Sequence, residues 1–298
     1  MTVCTASMFF WINDAAARDY SPAIVAASDR KLTDSGLGIG YESSRYKGTT
    51  IGTHRLALVS GDLTVHASIA NDLGKNTSSD NFSTKEIASE AGRLLGEYRI
   101  QEATKIYLAP LGLNSDLFIS RQREMEPSSV ARLIKQIQDY EIDAEILIAG
   151  VDDGKDASIY RVDSRGIVSN HTSIGFLSIG SGGIHSSAYF MTLPYRHATT
   201  YYMALYHTYA AKRRAEVDPY VGKLTDMFVT TAHGGTSQIP QEVMSVLEKL
   251  YERSLDRERK IAKVADKRLM DLHEGIWAQP AQADTQAIRE ATSSKDQT

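Results

Sequence analysis

Residues 2–11 read TVCTASMFFW and residues 23–28 read AIVAAS. β-Branched and aromatic types crowd the first stretch, so it reads as a strand that begins almost at the start of the chain. The second reads as a short strand, and the polar NDAAARDYSP between them (13–22) as a hairpin tip, pairing the two strands antiparallel. Working outward, SDRKLTDSGLGIGYESSRYKG (28–48) is a long loop rich in Gly and Ser. TTIG (49–52) and HRLALVSGD (54–62) then add two strands around a turn. The first 62 residues are therefore mostly sheet.

Helical signals follow. Residues 83–103, STKEIASEAGRLLGEYRIQEA, open on Ser83 and Glu86 at capping-box spacing and carry Ile87, Ala91, Leu94, Leu95 and Tyr98 on one stripe. PSSVARLIKQIQDY (127–140) starts with proline and places Val130, Leu133, Ile134 and Ile137 together. The intervening 107–125 fits either a helix extension or a loop. Strand patterns return in AEILIAGVDD (144–153), in ASIYRVDSRGIVSN (157–170) around an Asp-Ser-Arg-Gly turn, and in SIGFLSIGSGG (173–183). Residues 184–217 read as helix broken near Pro194, LTDMFVTTA (224–232) as a last strand, and the chain after Pro240 as a long helix with a charged middle. Strands, helices, strands, helices, strand, helix is not a βαβ alternation. An α+β fold with two mostly antiparallel sheets, covered on their outer faces by helices, buries both sets of apolar faces.

The 298 residues carry a formal charge of −4, with 42% hydrophobic and 23% charged residues. Such mild acidity offers nothing to nucleic acid. No apolar run approaches the ~20 residues of a membrane span, and no basic-then-apolar start reads as a secretory signal. The single cysteine, Cys4, rules out an intrachain disulfide. A cytoplasmic protein without membrane or nucleic-acid partners is expected. Asp152 and Asp153 beside Gly154 read as a solvated turn, and the tyrosines between Tyr195 and Tyr209 as packing residues. The histidines show no zinc spacing and no glycine loop suits a phosphate, so neither metal nor cofactor is expected.

Thr2 is the candidate nucleophile. A hydroxyl needs a base at neutral pH, and a threonine at the N-terminus carries its own, the α-amine, which titrates near 8. That requires loss of Met1, which the small Thr2 side chain favours. Asp29 ends the second strand, where a carboxylate can orient the amine or a lysine. Lys47 sits between loop and strand, where an ammonium can stabilise an alkoxide. Gly61 follows a strand and allows close approach of a carbonyl to its N–H. Ser181 can donate a second hydrogen bond or relay a proton.

MTVCT (1–5), AASDRKLT (26–33), Lys47, LALVSGD (56–62), AGVDDGKDASIYRVDSRG (149–166) and FLSIGSGG (176–183) together resemble the proteasome β-subunit family. MTVC with ASDR is most similar to its bacterial proteasome-related branch. The resemblance spans about residues 2–235 and is weakest over 100–140. It implies a four-layer αββα sandwich of the N-terminal-nucleophile hydrolase type over residues 1–240; beyond it, the apolar stripe after Pro240 reads as a helical extension (241–279), longer than the family needs, and the polar, small-residue composition as a disordered tail (280–298). It also implies a threonine peptidase acting on peptides or proteins as a homo-oligomer, ring-like in the family. By position, Thr2 matches the nucleophile, Asp29 and Lys47 its catalytic aspartate and lysine, Gly61 the oxyanion glycine and Ser181 the serine beside the nucleophile. Two departures stand out. The first hairpin is longer than the family's, and the aspartate and serine that precede two glycines in the family are Thr230 and His233 in TTAHGG (230–235), unless Asp226 takes part instead. A non-catalytic assembly subunit and a small-amide hydrolase using Thr2 are the rival readings.

Overall fold

A computed structural model describes residues 2–14, 19–34, 39–42, 47–77, 81–152, 156–193 and 199–278. The chain divides into two compact units, Met1–Pro240 and Gln241–Thr298. In the first, the strands are β1 (Cys4–Asp14), β2 (Asp19–Asp29), β3 (Lys31–Asp34), β4 (Ile39–Glu42), β5 (Gly48–Ile51), β6 (Arg55–Gly61), β7 (Ala144–Asp152), β8 (Asp156–Val162), β9 (Val168–Asn170), β10 (Phe176–Ile179), β11 (Thr225–Thr231) and β12 (Gly235–Gln238). Its helices are α1 (Leu63–Asn76), α2 (Thr84–Tyr107), α3 (Ser115–Arg121), α4 (Pro127–Asp139), α5 (Gly183–Thr192) and α6 (Tyr201–Ala215). The described residues of the second unit form a 38-residue helix, α7 (Gln241–Ala278).

Two five-stranded antiparallel sheets form, β10-β1-β2-β11-β12 and β5-β6-β7-β8-β9, with β3-β4 as a separate ribbon. Alternation along each strand sorts the side chains. Cys4, Ala6, Met8, Ile24 and Ala26 of the first sheet meet Leu56, Leu58, Leu147, Ala149 and Ile159 of the second in one buried cluster. The opposite faces point to helices. Ser7 shares a 2.6 Å hydrogen bond with Thr208 of α6, and Phe9 packs on Tyr201 at 5.4 Å between ring centroids. Ile146 and Ile148 pack with Ile87, Ala88, Ala91 and Leu95 of α2 and with Val65, Ile69 and Leu73 of α1. The layers run helix, sheet, sheet, helix. Central strands such as β7 are apolar on both faces, which explains the unbroken run ILIAGV.

The Ser83–Glu86 capping box forms as expected, with Ser83 N–H donating to Glu86 at 2.7 Å. Other expectations shift. β1 and β2 are each 11 residues long, so most of the expected hairpin tip is strand; residues 15–18 at its centre lie outside the described residues. Pro22 is tolerated because β11 pairs only with residues 24–29 of β2, leaving an edge there. The long loop contains the β3–β4 ribbon. No element is predicted over 63–76, where α1 forms, because its buried stripe of Val65, Ile69 and Leu73 is sparse among Thr, His, Asn and Gly. β12 is likewise unforeseen. The break at Pro194, Asp153 and Gly154, and the tail 280–298 lie outside the described residues. Asp152 is no solvated loop residue: it accepts from Thr84 N–H at 2.9 Å and pairs with Arg55. Among the described residues no helix is long and apolar enough to cross a membrane.

Helix α2 touches the β8–β9 turn through two glycines. Gly166 holds φ +83°, and a Cβ on it would lie 2.4 Å from the Gly92 carbonyl; one on Gly92 would lie 2.6 Å from the Gly166 carbonyl. Alanine at 92 would gain about 1 kcal/mol of helix propensity, yet the clash is between backbones that cannot yield cheaply. We expect Gly92→Ala to destabilise by about 1–3 kcal/mol, read as a lower urea midpoint; a raised midpoint would disprove the close contact.

Candidate active site around Thr2

Antiparallel register sets the first pair. Cys4 lies opposite Ser28, so the residues before Cys4 reach the end of β2. Asp29 N–H donates to Val3 O at 3.2 Å, and Val3 N–H returns a bond of 3.2 Å to Asp29 Oδ1. That ladder brings the Thr2 hydroxyl to the same oxygen, to which it donates. Lys47, entering from the segment before β5, donates to Thr2 Oγ1 and to Lys31 O. Its third bond is to Asp29 Oδ1 at 2.7 Å. The other oxygen, Oδ2, accepts from Gly222 N–H at 2.7 Å and Lys31 N–H at 3.2 Å.

All three side chains are out of water: Thr2 is 1% exposed, Asp29 0% and Lys47 2%. A buried carboxylate is costly unless its lone pairs are filled, and an ammonium likewise. Here each meets the other's need. The Thr2 oxygen is polarised from both sides, receiving a cationic N–H while its own proton points at a carboxylate. This primes an oxygen for attack once a base takes the proton.

Next to this triad, Arg30 turns the other way and makes a forked pair with Asp226 of β11, 2.9 Å from Nε to Oδ2 and 2.5 Å from Nη2 to Oδ1. Asp226, aligned with Ser28 across the strand pair, thus belongs to this region. Thr230 and His233 do not: Thr230 Oγ1 bonds Thr236 Oγ1 at 3.0 Å, and His233 lines a separate cavity with Trp11 and Ser21.

The segment 180–182 wraps the Thr2 carbonyl. Gly182 N–H donates to Thr2 O at 3.2 Å. Gly180 has φ +84°, and a Cβ there would sit 2.3 Å from that carbonyl. Gly180 N–H is anchored on Glu145 Oε2 at 2.9 Å. Ser181 Oγ is buried without a hydrogen-bond partner. Ser181 and Gly61 line the same cleft of about 460 Å³, with Ser60, Asp143 and Glu145. Gly61 is held at φ +108°, where a Cβ would collide with Asp143 O at 1.9 Å. Thr2, Asp29 and Lys47 are therefore in direct contact, whereas Gly61 and Ser181 line a cleft whose walls include none of the three. Gly222, Lys31 and Gly180 act through backbone atoms, which carry no sequence signature. Arg30 had one, its position directly after Asp29.

Cys4, two residues from Thr2, offers no rival nucleophile. Its thiol faces Val59 O at 3.7 Å. Burial pushes its pKa up to about 12; Lys47 opposes the rise, and Asp29 and Glu145 add to it. The thiolate is the reactive form, so Cys4 should resist iodoacetamide in the native protein at pH 8 and react once denaturant is added. Rapid native alkylation, followed by intact mass, would contradict this environment. No family model matches the chain and no curated protein matches its sequence.

Proposed function

We propose that this chain is an N-terminal-nucleophile hydrolase of the proteasome β-subunit type, and that Thr2 cleaves peptide bonds once the Met1–Thr2 bond has been cut. One observation carries the reading: the Thr2 hydroxyl is held between the Lys47 ammonium and the Asp29 carboxylate in a buried site. The helix, sheet, sheet, helix layering and the resemblance in residues 2–235 support it.

The chemistry follows from the free amine that Met1 removal creates. The neutral α-amine of Thr2 takes the Oγ1 proton, directly or through one water. Lys47 stabilises the alkoxide as it attacks the substrate carbonyl, and Asp29 keeps Lys47 aimed. The Gly61 N–H receives the oxyanion, whose negative charge is worth most to a donor already in place. Collapse breaks the C–N bond, and the α-ammonium returns its proton to the leaving amine. Water, deprotonated by the same amine, then attacks the ester on Thr2 and releases the acid. Ser181 Oγ, buried and unpartnered, is the candidate partner for the new α-amine. The resemblance further implies homo-oligomeric assembly, with sedimentation as its test.

The departure from the family motif at Thr230 and His233 favours a second reading, a subunit that assembles without cleaving. The experiments that separate the two are direct. Protein isolated from its own cell should begin at Thr2; intact mass showing Met1 retained would sink the peptidase. A β-lactone probe should add once, on Thr2, and fail to add to Thr2→Ala. Lys47→Met should lower kcat/KM for a fluorogenic peptide by about 10²–10³-fold, and unchanged turnover would remove Lys47 from the mechanism. Activity on small amides alone would mark the small-amide hydrolase instead.

A further inference from the structure

Lys212 on α6 is 0% exposed, one of the largest side chains wholly buried in the protein. Burial lowers its pKa, with the charge of Glu216 opposing. An apolar side chain would fill the same space without that difficulty. What the lysine adds is three N–H donors, and the structure uses them on one loop. Lys212 Nζ bonds Glu216 Oε1 at 2.7 Å, Gly222 O at 2.7 Å and Lys223 O at 3.2 Å.

That loop closes over the site. Gly222, its carbonyl drawn to Lys212, turns its N–H onto Asp29 Oδ2 at 2.7 Å. It must be glycine, since a Cβ would lie 2.9 Å from Lys31 N and 2.7 Å from Glu42 Oε1. Pro219 O accepts from Lys31 Nζ at 2.7 Å, and Lys223 N–H donates to Glu42 at 2.9 Å. Lys212 grips the loop from within at the residue whose amide touches Asp29. None of these three bonds goes to Thr2, Asp29 or Lys47.

We propose that Lys212 is a positioning residue for the hydrolysis described above: by pinning the carbonyls of Gly222 and Lys223 it aims the Gly222 amide at Asp29, and so fixes the carboxylate that holds Lys47 and Thr2. The role rests on the Thr2 peptidase reading. Without the grip, Asp29 Oδ2 keeps only the longer bond from Lys31 N–H, and displacement of a catalytic array by about 1 Å can cost 10²-fold in rate.

The Val221–Gly222 pair occurs once in the sequence, so carbonyl-labelled valine with ¹⁵N-glycine isolates the Gly222 amide in an NMR spectrum. In the Met1-free protein the Gly222 proton should resonate far downfield, as expected for a donor to a carboxylate. Lys212→Met should move it upfield and lower kcat on a fluorogenic peptide about 10–100-fold, with KM within about twofold. Lys212→Gln, which keeps an N–H donor for the loop, should restore part of both. A folded Lys212→Met with an unmoved amide or unchanged kcat overturns the role. Should that variant fail to fold, Lys212→Gln is read against wild type by the same two measurements, and failure of both to fold overturns positioning in favour of plain structural support. A wild type that neither cleaves peptide nor takes the β-lactone overturns the hydrolase reading and with it the role in the reaction; an active wild type with an unmoved amide in Lys212→Met overturns positioning alone.

Discussion

A single carboxylate, buried to exclusion of water, organises the region around the chain's first residues. Asp29 accepts from Thr2, Val3 and Lys47 on one oxygen and from Lys31 and Gly222 on the other. A lone carboxylate in such a place would protonate or draw in water. Filled from five directions, it becomes a fixed negative point on which a lysine can be buried as well. The pair contributes little net stability, because desolvation offsets its attraction. What it supplies is geometry: the surrounding strand ends and loop are arranged so that both charges are satisfied.

The two sheets make that geometry possible by bringing strand ends together. Asp29 ends β2, Gly61 ends β6 and the Gly180–Gly182 segment follows β10, while Thr2 precedes β1. Strand ends are where the ladder stops and backbone N–H groups are released for other uses. Gly222, Gly182 and Lys31 are used in this way. The layers behind them, with α2 close against the β8–β9 turn and α6 against β1, hold these ends in place.

Much of this was legible from residue types. The alternating strands, the capping box at Ser83 and the α4 stripe carry periodicities that one face of burial enforces. Thr2, Asp29 and Lys47 were legible through motif spacing, and they lie in contact. Other parts left no such trace. Helix α1 places Val65, Ile69 and Leu73 sparsely among polar types, and the β3–β4 ribbon has strands of only four residues each. Gly222 acts through an amide 193 residues from Asp29 in sequence, and an amide looks the same in every residue. Thr230 and His233 stand where the family motif pointed, yet register places Asp226, four residues earlier than Thr230, beside Arg30. Strand pairing decided that, and pairing partners cannot be read from a single strand.

The loop that carries Gly222 has a temporal consequence. Thr2 and Asp29 are 27 residues apart, but the Asp29 shell is complete only when a segment some 190 residues further along has docked. Contacts of such separation form late, after the entropy of closing the intervening chain has been met. The residues of β1 and β2 leave the ribosome long before residue 222 does. The hydrogen-bond shell of Asp29 is thus closed only at the end of folding, by the order in which the polypeptide closes on itself.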